Sequence, residues 1–112
     1  MRPPRDNILL LDMLDHARKA VAATRGRSRL DLDSDEILAA ALVRFLEVVG
    51  EAASRVSQVT KDELPDVEWT AIVAMRHRLI HGYASVDPDI VWGVVTADLP
   101  PLIAVLERSV AN

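Results

Sequence analysis

Three features of the sequence predict an all-α fold, an up-and-down bundle of four to five helices. Apolar residues recur at i, i+3, i+4 and i+7 along the long segments, the spacing of one buried helix face. No segment sustains period-2 alternation, and no Asn-Gly hairpin signal occurs. The apolar half of the composition is aliphatic, with one Phe, two Trp and one Tyr, so the core must be built from Leu, Ile, Val and Ala. A chain of 112 residues is expected to form one core, a single domain spanning 1–112.

Each element can be justified in turn. Asp6-Asn7 precede Ile8, Leu9, Leu11, Leu14, Ala17 and Val21, an amphipathic pattern running to about Thr24 and stopped by Gly26. The second helix, from about residue 34 to 58, is opened by Asp33 with Glu36 as a capping box, or by Ser34 one residue later. Its alanines and Gly50 invite close approach of another helix, within the bundle or across a homodimer. Residues 61–65, Lys-Asp-Glu-Leu-Pro, are expected to be a linker. Asp66 then caps a third helix, with Trp69, Ile72, Val73, Met75, Leu79 and Ile80 on its buried side and His81-Gly82 as its end. A fourth helix starts with Asp87 as cap and Pro88 at the first helical position. Pro100-Pro101 is expected to break or kink it before a final helix over LIAVLERSV.

Composition narrows the function. No cysteine is present, which excludes a disulfide framework, a thiolate metal site and a cysteine nucleophile, and fits a reducing cytosol. The first twenty residues lack the apolar stretch and small-residue cleavage site of a signal peptide. The longest uninterrupted apolar run, Ile37 to Val43, is far short of the ~20 residues of a membrane span. A soluble, cytoplasmic chain without a membrane partner is therefore expected. Net charge is −4. It is uneven: residues 1–30 hold seven basic groups against three acids, and the remainder six against fourteen. A globally acidic chain binds nucleic acid only through a local basic surface, because binding draws on neutralised phosphates. Arg25, Arg27 and Arg29 in RGRSR are one candidate, and a solvated loop is the plainer alternative.

Residues 75–83, MRHRLIHGY, hold two of the three histidines and the single tyrosine. Arg76 supplies a permanent cation whose paired N–H donors fit a phosphate. His81 supplies an imidazole that titrates near neutral pH and can move protons. With Tyr83 beside them, these groups suit attack of a ribose 2′-hydroxyl on its neighbouring phosphate, which needs a base, an acid and a cation facing the developing charge. That reaction requires no metal, and no cofactor motif is present. On an ideal helix Arg76 and His81 point about 140° apart. They converge only if His81 lies on the last turn or if two copies face each other, whereas His77 and His81 share a face. The same residues also suit a helix C-terminus, where Arg and His complement the macrodipole and Tyr83 makes the contact that accompanies a glycine cap. A two-histidine metal site through His77 and His81, with Asp87 as a third ligand, is a further alternative.

The pattern Arg76-x4-His81-x-Tyr83 resembles the signature of HEPN-domain ribonuclease toxins of the HepT type. Residues 45–57, 66–83 and 86–107 resemble that family's blocks in the family's order, covering most of the chain after residue 35. The resemblance implies a dimeric HEPN-like bundle that brings two motifs into one cleft. It implies metal-independent endoribonuclease activity on a tRNA or an mRNA, leaving a 2′,3′-cyclic phosphate, with Arg76 and His81 catalytic and His77 supporting. It also implies a cognate nucleotidyltransferase antitoxin, in a type VII-like toxin–antitoxin pair, that silences the enzyme by attaching AMP to Tyr83. His77 stands where such motifs commonly carry asparagine. Glu51 reads as a buried carboxylate of the long helix, either bracing the bundle or pairing with a motif arginine. The competing expectation is a non-enzymatic helical subunit that binds nucleotide or partner within a nucleotidyltransferase complex.

Overall fold

A computed structural model describes residues 2–81 and 86–110, with only the backbone given for Ile80 and His81. The expected all-α architecture is what forms: α1 Pro4–Thr24, α2 Asp31–Ser34, α3 Glu36–Arg55, α4 Gln58–Glu63, α5 Trp69–His81, α6 Pro88–Gly93 and α7 Leu99–Val110. A π-helical turn, Val94–Asp98, joins α6 to α7. No strand occurs among the described residues.

Helix α1 begins earlier than the expected opening at Asp6-Asn7. Pro4 occupies its first turn, where the missing N–H costs nothing and the fixed φ favours the helix. Leu9, Leu10, Met13, Leu14, Ala17 and Ala20 form its buried stripe. Gly26, at φ +71°, makes the left-handed turn that closes the segment. The N-cap of α3 is Asp35, not Asp33 or Ser34: its carboxylate accepts from Leu38 N–H at 3.0 Å. Residues 31–34 wind into their own short helix, which removes Asp33 from the capping position.

The early start of α1 buries Asp6 completely. Its carboxylate accepts from Ser57 N–H, from the Ser57 hydroxyl at 2.5 Å and from the Thr60 hydroxyl at 2.6 Å. These bonds fasten the start of α4 to the first turn of α1, and the segment read as linker 61–65 is helical over its first three residues. They also mark where the long helix stops, at Arg55, before an extended Val56 and Ser57.

Burial pushes the Asp6 carboxyl up, but the bonds from Ser57 and Thr60 and the charge of Arg5 outweigh it, and its pKa lies below the usual value. A carboxyl depressed on folding stabilises the protein above its unfolded pKa of about 3.9, and that contribution is lost as pH falls towards the folded value. Asp6→Ala is expected to cost about 3 kcal/mol, by stranding buried donors. Asp6→Asn should flatten the acid limb of stability. Urea midpoints between neutral pH and about pH 3 check both, and an unchanged acid limb in Asp6→Asn counts against the assignment.

The loop RGRSR is stitched to acids around it. Arg27 pairs with Asp35 at 3.2 Å, and Arg29 pairs with Asp33 at 3.1 Å and Asp89 at 2.5 Å. The Arg29–Asp89 pair holds the α1–α2 loop against the first turn of α6, and together the three pairs leave Arg27 and Arg29 less charge for a phosphate.

Asp87 caps α6 as expected, accepting from Asp89 N–H at 2.9 Å, with Pro88 in the first turn. The proline pair does not end the helix, which runs on from Pro88 to Val110. The π turn explains this. Its stripe, Val91, Val95, Leu99, Leu102 and Leu106, opens with two spacings of four, which drift by about 80° on an ideal α-helix. One wide turn, closed by Leu99 N–H to the Val94 carbonyl, takes up the drift just before the residues that cannot donate. The combined helix is long and apolar enough to cross a membrane by length and composition alone, although its apolar residues form no long uninterrupted run. Its buried stripe packs on α1 and only 28% of its most apolar stretch is buried.

Among the described residues the buried apolar side chains form one cluster, drawn mainly from α1, α3 and the α6–α7 helix. Helix α5 lies against α3 and contributes Leu79 fully and Trp69, Ile72, Val73 and Met75 in part.

Candidate functional site

Helix α5 carries the motif and α3 positions it. The two helices meet most closely where Arg76 lies over Gly50. A Cβ placed on Gly50 would overlap the Arg76 Cβ and lie 3.1 and 3.3 Å from its Cγ and Cδ. Gly50 is therefore the residue that lets the arginine stem rest directly on the α3 backbone. This resolves the open question of what the small residues of α3 admit: at Gly50 it is α5 of the same chain.

The guanidinium emerges beyond this contact and meets Glu51, with Arg76 Nη2 2.5 Å from Glu51 Oε2. The expected burial of Glu51 is corrected, because 48% of its side chain is exposed against 25% for Arg76. A carboxylate one residue after a glycine on a packed helix is carried round to the helix edge, within reach of a head group whose stem crosses that glycine. An exposed pair of this kind contributes little stability; it fixes where the guanidinium points. Arg76 is thus held by its stem from α3 and oriented at its tip, leaving other donors of the fork for an anion.

His77 and Arg78 are exposed on the next positions of α5. The helix extends to His81, its last residue, so the backbone of that histidine closes the final turn. Tyr83 and Gly82 lie outside the described residues. The clustering of Arg76 and Arg78 towards the C-terminal end of α5 places cations where the helix dipole is negative. Among the described residues no group of three His, Asp or Glu side chains gathers to hold a metal.

On the other side of α5 an open cleft of about 240 Å³ runs against the π turn and α7, floored by Val49, Ile72, Met75, Leu99 and Leu102. A second depression, bordered by Lys61, Trp69 and Val73, lies at the opposite edge, towards α4. Sequence reasoning placed Trp69 on the buried side of α5 and Lys61 in a linker, and gave neither a part in a site. The available signal was that Trp69 lies seven residues before Arg76, close to two whole turns.

A family profile described as Ribonuclease HepT-like matches residues 13–109, which include α3, α5 and all but the last residue of α7. The chain belongs to the HepT-like family. This HepT-like chain is 31% identical over 102 residues to a candidate RNase of Caldanaerobacter subterraneus subsp. tengcongensis, covering 91% of this chain and 89% of that one. It is 28% identical over 93 residues to a candidate RNase of Methanocaldococcus jannaschii, covering 83% and 85% of the two chains. A probable ribonuclease HepT of Thermococcus cleftensis is 35% identical over 68 residues, or 61% and 62% of the two. No solved structure matches the chain at a significant level. Membership of the family agrees with the resemblance read from residues 75–83 and their flanking blocks.

Proposed function

We propose that this HepT-like chain is a metal-independent endoribonuclease, the toxin of a toxin–antitoxin pair acting in the cytoplasm. The observation that carries the reading is the seat of Arg76: a cation clamped at Gly50, aimed by Glu51, and placed five residues before the histidine that ends α5. The guanidinium binds the scissile phosphate and meets the charge that builds on its oxygens. His81 serves proton transfer: one copy takes the proton of the 2′-hydroxyl as it attacks phosphorus, and a second copy supplies one to the departing 5′-oxygen. The products are a 2′,3′-cyclic phosphate and a free 5′-hydroxyl. One imidazole cannot be base and acid at once, so a second motif from a homodimer partner completes the set. The sparsely buried apolar face of the α6–α7 helix is the surface such a partner would cover. The cognate nucleotidyltransferase would attach AMP through the Tyr83 hydroxyl, adding negative charge and bulk beside the phosphate site.

A test needs no variant. Unmodified protein should cut single-stranded RNA in excess chelator and leave a cyclic phosphate end, and it should spare the same RNA with a 2′-deoxy sugar at the cleaved position. Cutting of the deoxy substrate would overturn the mechanism. Co-expression with the nucleotidyltransferase should raise the intact mass in steps of one AMP, a gain absent in Tyr83→Phe. The alternative, a non-enzymatic partner-binding subunit, draws support from the net charge of −4 and the engaged arginines of RGRSR. It would stand if unmodified protein bound the nucleotidyltransferase tightly and cut no RNA.

A further inference from the structure

Trp69 and Arg76 occupy one side of α5. Seven residues turn an ideal helix through 700°, within about 20° of alignment, and advance it by about 10 Å. Trp69 is held in place: its indole N–H donates to the Leu64 carbonyl at 3.1 Å. The Lys61 ammonium stands 5.8 Å from the ring centroid, over its face. Ring and ammonium border an open depression of about 610 Å³, whose other walls are Gln58, Asp62, Pro65, Thr70 and Val73. Gln58 and Asp62 are bonded to each other at 2.8 Å across its rim.

We propose that this depression is a nucleobase subsite for the RNA strand cut at Arg76. The inference rests on the ribonuclease reading above and adds the residues that grip the substrate beside the cut. A flat neutral base stacks on the half-buried indole, whose face is already presented and whose edge is anchored. The base takes the place of the Lys61 ammonium over the ring, and the freed cation meets the phosphate of the same nucleotide. Asp62 opposes an anion at this position, so the base and not the phosphate turns towards the Gln58–Asp62 rim. The distance of about 10 Å along α5 suits a nucleotide roughly one or two positions from the scissile bond. A peptide ligand fits less well, because the site offers one stacking face and one cation, and no strand edge occurs among the described residues.

The test uses full-length protein carrying Trp92→Phe, so that Trp69 is the sole tryptophan. Titration with a single-stranded 2′-O-methyl RNA, which cannot be cut, should quench Trp69 fluorescence. In cleavage assays Trp69→Leu should raise KM about tenfold with kcat nearly unchanged, and Trp69→Phe should recover most of the affinity. Lys61→Ala should raise KM and flatten its dependence on salt. Circular dichroism establishes that each variant is folded; should Trp69→Leu unfold, the quenching and Lys61→Ala carry the decision. RNA cut normally with no quenching and an unchanged KM in Lys61→Ala would overturn the subsite and leave the nuclease standing. Quenching without any cleavage would keep the subsite and remove the nuclease.

Discussion

Replacing His81 with alanine is expected to lower the rate of RNA cleavage by about 10²–10⁴-fold, the range that proton transfer by a positioned side chain supplies. The residue closes α5, so its loss should leave helix content unchanged. Initial rates measured across pH provide the check. Wild type should show a rate that depends on the protonation of the motif histidine, and His81→Ala should lose that dependence on pH. Arg76→Ala is expected to fall as far at every pH, since the phosphate then lacks its paired donors throughout. Arg76→Lys should recover only part of the rate, because an ammonium lacks the paired donors of the fork. Cleavage at the wild-type rate by folded His81→Ala would sink the mechanism.

The second large effect is expected at Gly50. Glycine inside a helix is usually a weakness, and alanine there would ordinarily stabilise by about 1 kcal/mol. Here the sign should reverse. The added Cβ meets the Cβ of Arg76, which cannot swing aside without moving α5. Gly50→Ala should therefore lose about 1–3 kcal/mol by overpacking, and cleavage should fall at least about tenfold because the guanidinium shifts with its helix. Thermal melting and single-turnover rates test the two halves separately. A more stable Gly50→Ala with full activity would show that α3 does not hold the arginine.

Much of this could be read from the chain alone, and the failures share a cause. Periodicity exposed the long helices because a buried stripe is written locally, and Asp87-Pro88 announced its own cap. The stop at Arg55 is not written locally: it depends on Ser57 binding Asp6, 51 residues away. The linker assigned to 61–65 failed for the same reason. Asp33 looked the better cap because Glu36 follows it at the right distance, but residues 31–34 turned first and left Asp35 at the boundary. The prolines were read by their missing donors, and the wide turn that accommodates them is visible only once the stripe Val91, Val95 and Leu99 is compared with an ideal helix. At the site, sequence singled out Arg76, His77, His81 and Tyr83 and flagged Gly50 and Glu51. That Gly50 and Glu51 both serve Arg76 is a fact of how α3 crosses α5.

The ion pair between Arg76 and Glu51 has a consequence for how the protein behaves at rest. A guanidinium that already has an intramolecular counterion presents little bare charge to passing polyanions, so stray nucleic acid gains little by lingering there. A ligand must offer enough elsewhere along its length to settle on the donors that the tethered carboxylate leaves open. Discrimination then begins at first contact, in the sharing of one cation between two anions.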